Sequence, residues 1–303
     1  MESRARVVVT GVLAVLLAAC APAPRQPEVP PPAAPAAPPR DAATAAAIER
    51  VLAGEHRSAA NRARDGWRHP VDSLLFFGIK PDMTVAELWP GAGGWYTEVL
   101  APLLAENGRL YAAQVPAAPP NAFTDSILAA YRAKLDARPD LYGKVSITTL
   151  GPAGGDIAPP GSCDLVLTFR NLHNWMNLGY AKEAIEAAHR ALKPGGILGV
   201  VDHRADPAKP PDPRASNGYV NEAYAITLIE SAGFELVEKS EINANPNDTK
   251  DYEQGVWALP PELRQGNRDR AKYEAIGESD RFTLKFRKRQ PRKVVSGRGC
   301  YCA

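Results

Sequence analysis

Val85-Ala86-Glu87-Leu88-Trp89-Pro90-Gly91-Ala92-Gly93-Gly94-Trp95-Tyr96-Thr97 passes from an apolar, strand-like run through a glycine turn into a helix start. In an α/β sheet that order brings backbone N–H groups and a helix N-terminus to the crevice at the strand's carboxyl end, where nucleotide-like ligands bind. Glycine suits such a turn because a Cβ blocks close approach of a ligand and disfavours positive φ. The same residues also suit a tight strand-to-helix turn that holds nothing. The surroundings have to decide.

Working outward, strand and helix patterns alternate. Residues 84–88, 109–113, 144–149, 164–169, 197–201 and 235–242 read as strands, and 94–105, 124–138, 180–192 and 220–232 as helices. Strands separated by helices of ten to fifteen residues imply crossover units and a mainly parallel sheet covered on both faces. Residues 281–287 alternate again with no helix predicted after the previous strand, as expected of an antiparallel hairpin partner. Upstream, 41–64 is rich in Ala, Arg and Glu and reads as one capping helix, and a second, apolar helix runs from Pro70 to a stop at Gly78.

Four landmarks carry a family resemblance. The turn at 84–97 resembles the first motif of class I S-adenosylmethionine-dependent methyltransferases, an acid followed by Gly-x-Gly-x-Gly. Glu87 matches the acid, Gly91 and Gly93 the second and third glycines, and Trp89 stands where the first is expected. Asp164-Leu165-Val166-Leu167, Leu192-Lys193-Pro194-Gly195-Gly196 and Ala232-Gly233-Phe234 resemble the family's fourth strand and the turns before its fifth and sixth. A group of bacterial predicted methyltransferases looks similar from Arg68 to Phe282. The resemblance implies a three-layer Rossmann-like α/β sandwich with a mostly parallel, seven-stranded sheet and one antiparallel strand. It also implies S-adenosylmethionine as cofactor, held around Glu87, Trp89, Gly91 and Gly93. Gln114 stands where the family places an acid for the ribose hydroxyls, and Asp156 where it aims one at the adenine amine, although Asp156 also reads as a plain loop acid. Trp89, Trp95 and Tyr96 read either as core or lid residues or as aromatic faces near a sulfonium.

Arg170-Asn171-Leu172-His173-Asn174-Trp175 follows the fourth strand, at the edge that faces ligands in this architecture. His173 is a candidate base for a substrate hydroxyl, thiol or amine, with Arg170 or Asn171 orienting that substrate; alternatively His173 simply bonds the loop backbone. Trp175, Asp202, His203 and Glu222 would form the substrate wall. No Cys/His spacing suits zinc, and no phosphate loop or serine elbow occurs, so no metal is expected. The functional expectation is methyl transfer to a small or envelope-associated acceptor. The alternative is an exported, non-catalytic lipoprotein that keeps a ligand-binding methyltransferase fold. A dinucleotide oxidoreductase is disfavoured because Gly-x-Gly-x-x-Gly is absent.

The N-terminus speaks for export. Arg4 and Arg6 precede an apolar run from Val7 to Ala19, short of the roughly 20 residues that span a bilayer. Leu17-Ala18-Ala19-Cys20 resembles a lipobox, which makes 1–19 a lipoprotein signal and Cys20 the lipidated residue; an ordinary secretory signal is the other reading. Residues 20–40 are a Pro/Ala-rich tether able to reach about 60 Å at ~3.1 Å per residue. The expected location is the cell envelope, anchored through Cys20 and facing the periplasm, with Ala21 favouring the outer membrane over the inner. The folded domain is expected at 41–287. From 288 to 303 the chain is basic and reads as a disordered tail, with Cys300 and Cys302 a poor metal pair. With 36 basic against 34 acidic residues, no field of one sign calls for nucleic acid, and a small-molecule acceptor is the expected partner.

Overall fold

The computed structural model describes residues 41–116 and 121–290. Seven strands, β1 (Thr84–Leu88), β2 (Arg109–Gln114), β3 (Ser146–Thr149), β4 (Cys163–Phe169), β5 (Leu192–His203), β6 (Phe234–Ser240) and β7 (Arg281–Lys288), form one sheet in the order β3-β2-β1-β4-β5-β7-β6. β1 to β5 pair in parallel, and β7 lies antiparallel between β5 and β6. This is the three-layer, seven-stranded arrangement expected from the sequence. From β1 the chain builds β2 and β3 on one side, then crosses back to place β4 and β5 on the other. The switch point therefore falls between the carboxyl ends of β1 and β4.

Helices α1 (Ala42–Leu52), α2 (Ala59–Arg62), α3 (Asp65–Arg68) and α4 (Pro70–Phe77) precede β1, and α5 (Thr97–Leu104) joins it to β2. Then α6 (Ala122–Ala137) and α7 (Pro139–Tyr142) lead to β3, and α8 (Leu172–Leu178) and α9 (Ala181–Ala191) join β4 to β5. After β5 come α10 (Glu222–Ser231), a 3₁₀ turn at Gly255–Ala258 and α11 (Arg270–Ile276). Strand side chains alternate between the two layers, as a period of two requires. Val85, Leu165, Leu167 and Val201 pack with Ile48 of α1, Leu74 and Phe77 of α4 and Leu100 of α5. Ala86, Leu88, Val166 and Leu198 pack with Ile185 of α9 and Ile229 of α10. Among the described residues no helix is long and apolar enough to cross a membrane.

Several expectations need correction. The single helix predicted over 41–64 is broken: α1 stops at Ala53-Gly54, where a Cβ on Gly54 would stand 2.5 Å from the His56 ring. The polar residues that follow are spent on tertiary contacts. Arg57 pairs with Asp65 at 2.7 Å, and His56 Nε2 lies 2.9 Å from the Glu98 carbonyl. β6 and β7 are not joined by a simple hairpin, since the 3₁₀ turn and α11 lie between them. Lys288, assigned to the tail, is the last residue of β7, and its Nζ donates to the His189 and Leu192 carbonyls at 2.6 and 2.7 Å. Cys20, the tether, Cys300 and Cys302 lie outside the described residues.

Gly199 in β5 lets α4 approach the sheet, because a Cβ there would lie 2.7 Å from both Leu167 and Phe77. Gly199→Ala is expected to cost about 1–3 kcal/mol by overpacking, even though alanine loses less entropy on folding. Urea unfolding checks this, and an unchanged midpoint would mean that α4 retreats without penalty.

Candidate functional site

The turn after β1 is anchored at Trp89. Its backbone has φ 48°, a left-handed conformation that disfavours any side chain, as expected where glycine is the usual occupant. The Trp89 N–H donates to the Ala113 carbonyl at 2.8 Å and its indole Nε1–H to the Leu150 carbonyl at 3.0 Å. The indole meets Trp175 and Tyr180 edge-on, with centroids 6.0 and 6.2 Å away. At Gly91 and Gly93 an added Cβ would meet nothing within 4 Å, so the backbone there borders open space. Gln114, fully buried at the end of β2, donates Nε2–H to the Gly91 carbonyl at 3.1 Å, and its Oε1 has no partner.

Glu87 sits behind the turn. It is 3% exposed and accepts a 2.7 Å hydrogen bond from Thr97 Oγ1, which ties β1 to the first turn of α5. Burial raises its carboxyl from an ordinary 4.5 to about 7, against the opposing pull of the Thr97 bond, Lys134 and Arg68. Trp95 and Tyr96 belong to the core. Trp95 lies under the Arg68 guanidinium, 4.6 Å from the ring centroid, and Tyr96 stacks on Phe169. Asp156 is exposed in the loop between β3 and β4.

Across the switch point, Arg170 also has positive φ, at 65°. Two such residues at the carboxyl ends of neighbouring strands concentrate strain at the crevice, at a cost of order 1–3 kcal/mol each. The segment expected to line the crevice is instead the start of α8, which redistributes its side chains. Asn171 turns inward and donates Nδ2–H to the Leu88 carbonyl at 2.9 Å, bracing β4 against the β1 turn. Trp175 is 1% exposed and packs in the core, so it is not a substrate wall. His173 reaches Asp202 at the end of β5. Nδ1 lies 2.8 Å from Oδ1, and the His173 backbone N–H donates to Oδ2 at 3.0 Å. The His203 N–H donates to Oδ1 at 2.7 Å, so the carboxylate accepts three hydrogen bonds. In the tautomer whose Nδ1–H donates to Asp202, His173 Nε2 keeps its lone pair. The His203 ring lies tilted against that of His173 with centroids 5.0 Å apart, its Nδ1 contacts Ser279 Oγ, and burial, with the guanidiniums of Arg170, Arg281 and Arg68, lowers its pKa well below the ordinary value. Glu222 is engaged by Lys239 at 2.6 Å and Arg204 at 3.5 Å.

Sequence reasoning missed a group of buried charges beside this pair. Glu278 accepts from Arg64 at 2.7 Å, Arg281 at 3.0 Å and Arg68 at 3.4 Å. Burial would raise its carboxyl, but Arg68, Arg281, Arg170 and Arg64 together outweigh that and hold it at about 2. Trp257, from the 3₁₀ turn, covers His173 with a centroid distance of 6.2 Å. The one available signal was the dense polar run Gly277-Glu278-Ser279-Asp280-Arg281 directly before a strand. Among the described residues His173, Asp202 and His203 offer ligand atoms within 4.8 Å of one another. A divalent cation there would have to break the three hydrogen bonds to Asp202 and face the surrounding guanidiniums, so the donor set does not fit one.

Together, strand order, glycine turn and crevice define a Rossmann-like α/β fold with a ligand crevice at its switch point. The chain is similar to a SAM dependent methyltransferase from Aquifex aeolicus, with a TM-score of 0.51 and 17% identity over 80% of this chain and 98% of that one. It is similar to the same degree to the [4+2]-cyclase SpnF, with a TM-score of 0.51 and 16% identity over 79% and 86% of the two chains. No protein-family model matches the sequence, and no curated protein does. At such identities the likeness is one of fold, and the site has to speak for the chemistry.

Glu87 and Glu278 give stability opposite dependences on pH. The unfolded chain releases the Glu87 proton near 4.5 while the folded chain keeps it to about 7. Stability therefore falls across that window, by about 3 kcal/mol in total, and is level above it. Glu278, with its depressed value, stabilises above 4.5, and that contribution is lost as pH falls towards 2. Glu87→Gln should flatten the upper window alone, so urea midpoints at about pH 5 and about pH 8 should differ less than in the wild type. An unchanged difference would mean that Glu87 is ionised in the folded state.

Proposed function

We propose that this protein is an S-adenosylmethionine-dependent methyltransferase in which His173, oriented by Asp202, is the general base. The observation that carries the reading is the His173–Asp202 pair at the carboxyl ends of β4 and β5, across the switch point from an open glycine turn. The turn's residues fit the cofactor in two respects. The backbone is open at Gly91 and Gly93, and the orphaned Gln114 Oε1 is a buried acceptor suited to a ribose hydroxyl. S-adenosylmethionine, when bound, supplies an electrophilic methyl group on a sulfonium. His173 Nε2 accepts the proton that an acceptor hydroxyl, thiol or amine gives up as it is methylated, and Asp202 stabilises the resulting imidazolium. Glu87 acts through Thr97 by holding the start of α5 in place, and Trp257 keeps water from the base. These are positioning residues.

Trp89 favours a second reading, a binding protein without transfer activity, because its indole is fixed over Leu150 in the place of the turn's first glycine. Titration calorimetry with S-adenosylmethionine, S-adenosylhomocysteine and NAD separates the two. Micromolar binding of the first two is expected, about tenfold weaker in Gln114→Leu through loss of one buried hydrogen bond and unaltered in His173→Ala. Absence of binding by folded protein would leave the second reading standing.

The lipobox and the tether support placing the domain in the cell envelope, held by acyl chains on Cys20. Cys20→Ser is then expected to move the protein from the membrane fraction to the soluble one. Retention in the membrane would rule out the lipid anchor.

A further inference from the structure

The acceptor site contains more positive charge than the protein neutralises. Four guanidiniums, Arg64, Arg68, Arg170 and Arg281, surround one carboxylate, Glu278, and the second nearby carboxylate, Asp202, attracts Arg170 but spends its hydrogen bonds on His173 and His203. Arg64, Arg68 and Arg281 each contact Glu278. Arg170 does not. Its Nε is buried without a partner, and its side chain makes no hydrogen bond or ion pair among the described residues. Arg64 Nη2 and Arg281 Nε also lack acceptors. Arg170 is half-buried: its Nε is shut away from solvent without an acceptor, while the residue as a whole keeps an open side. Nothing structural requires a guanidinium here, since Arg170 holds β5 through its backbone N–H to the Val201 carbonyl at 2.7 Å, which any residue supplies. The left-handed backbone at Arg170 adds strain on top.

We infer that the guanidinium of Arg170 is the docking point for an anionic group on the methyl acceptor, a carboxylate or a phosphate. The inference rests on reading the His173–Asp202 pair as the acceptor site and names the class of acceptor. A planar guanidinium binds either oxyanion through two parallel N–H donors, which fixes orientation as well as position. Arg170 lies three residues before His173, directly after β4 and before α8. An acidic group held there brings a neighbouring nucleophile towards His173 Nε2. Arg64, Arg68 and Arg281 share the single Glu278 carboxylate, which leaves the field behind Arg170 positive without occupying it.

Thermal unfolding of the full chain in detergent, without cofactor, tests this independently of methyl transfer. Inorganic phosphate or acetate at roughly 20 mM, against chloride at matched ionic strength, is expected to raise the melting temperature by about 3 °C or more if binding is near-millimolar. A response to phosphate alone assigns a phosphate-bearing acceptor, and one to acetate alone a carboxylate. Arg170→Met, which removes the unpaired charge, should melt no lower than the wild type in chloride and gain nothing from either anion. Arg170→Lys keeps the charge but not the planar fork and should lose most of the gain; if the Met variant does not fold, the Lys variant decides. No wild-type shift beyond chloride, or a full shift retained in either variant, overturns the proposal. Absence of S-adenosylmethionine binding in the calorimetric experiment with the anion shift intact would instead sink the methyltransferase reading alone.

Discussion

One buried carboxylate joins the two ends of the folded chain. Glu278 stands just before β7, and its arginine partners at 64 and 68 lie more than two hundred residues upstream, in the short helices that precede β1. Arg281 adds a bond to the Trp67 carbonyl, so the same knot fixes α3 against the start of β7. Buried ion pairs contribute little net stability when compared with apolar replacements, but breaking one side leaves charges stranded and is strongly destabilising. The knot therefore acts chiefly as a specification: it fixes α3 against the start of β7. β7 in turn pairs with β5, where Asp202 lies opposite Phe282 and His203 opposite Arg281.

The second constraint is at the switch point. Trp89 and Arg170 hold left-handed backbones at the ends of adjacent strands, and each is kept there by a backbone N–H bonded to a further strand, Trp89 to β2 and Arg170 to β5. Asn171 closes the gap by bonding the Leu88 and Trp89 carbonyls. The sheet thus over-determines two conformations that neither residue would choose. What results is a rigid crevice floor with side chains directed by backbone geometry.

Much of the fold was legible because the strands are apolar and short and the helices between them periodic. β1 was placed to the residue, and β4 began only one residue earlier than expected. The N-terminal helix was misread because Ala, Arg and Glu favour a helix wherever nothing competes, and here Arg57, Asp65 and Glu98 compete through tertiary pairing. The site was half legible. Asp202 and His173 could be placed at strand ends by a rule of topology, and the structure brings the two side chains together. Glu87 and Trp175 had the right spacing for a ligand site but turn into the core, which a sequence pattern cannot distinguish from turning out. The segment between β6 and β7 was illegible for a stronger reason. Asn243, Asn245 and Asp248 look like loop residues, yet all three are buried, and their partners include Thr283, the Glu278 carbonyl and the Asp280 N–H. Charges and amides that satisfy one another leave no hydrophobic period to read.

The antiparallel insertion of β7 also sets an order of assembly. Among the described residues β6 has β7 as its only neighbour in the sheet, and without β7 the edge of β5 would be open. Residues 281–288 are among the last of the domain to be synthesised, and Glu278 comes just before them. A nascent chain therefore holds five parallel strands with an unpaired edge and a set of arginines with no carboxylate between them. The sheet is complete only when residues 281–288 are in place, so two strands that are distant in sequence, β5 and β6, depend on one C-terminal segment for their connection.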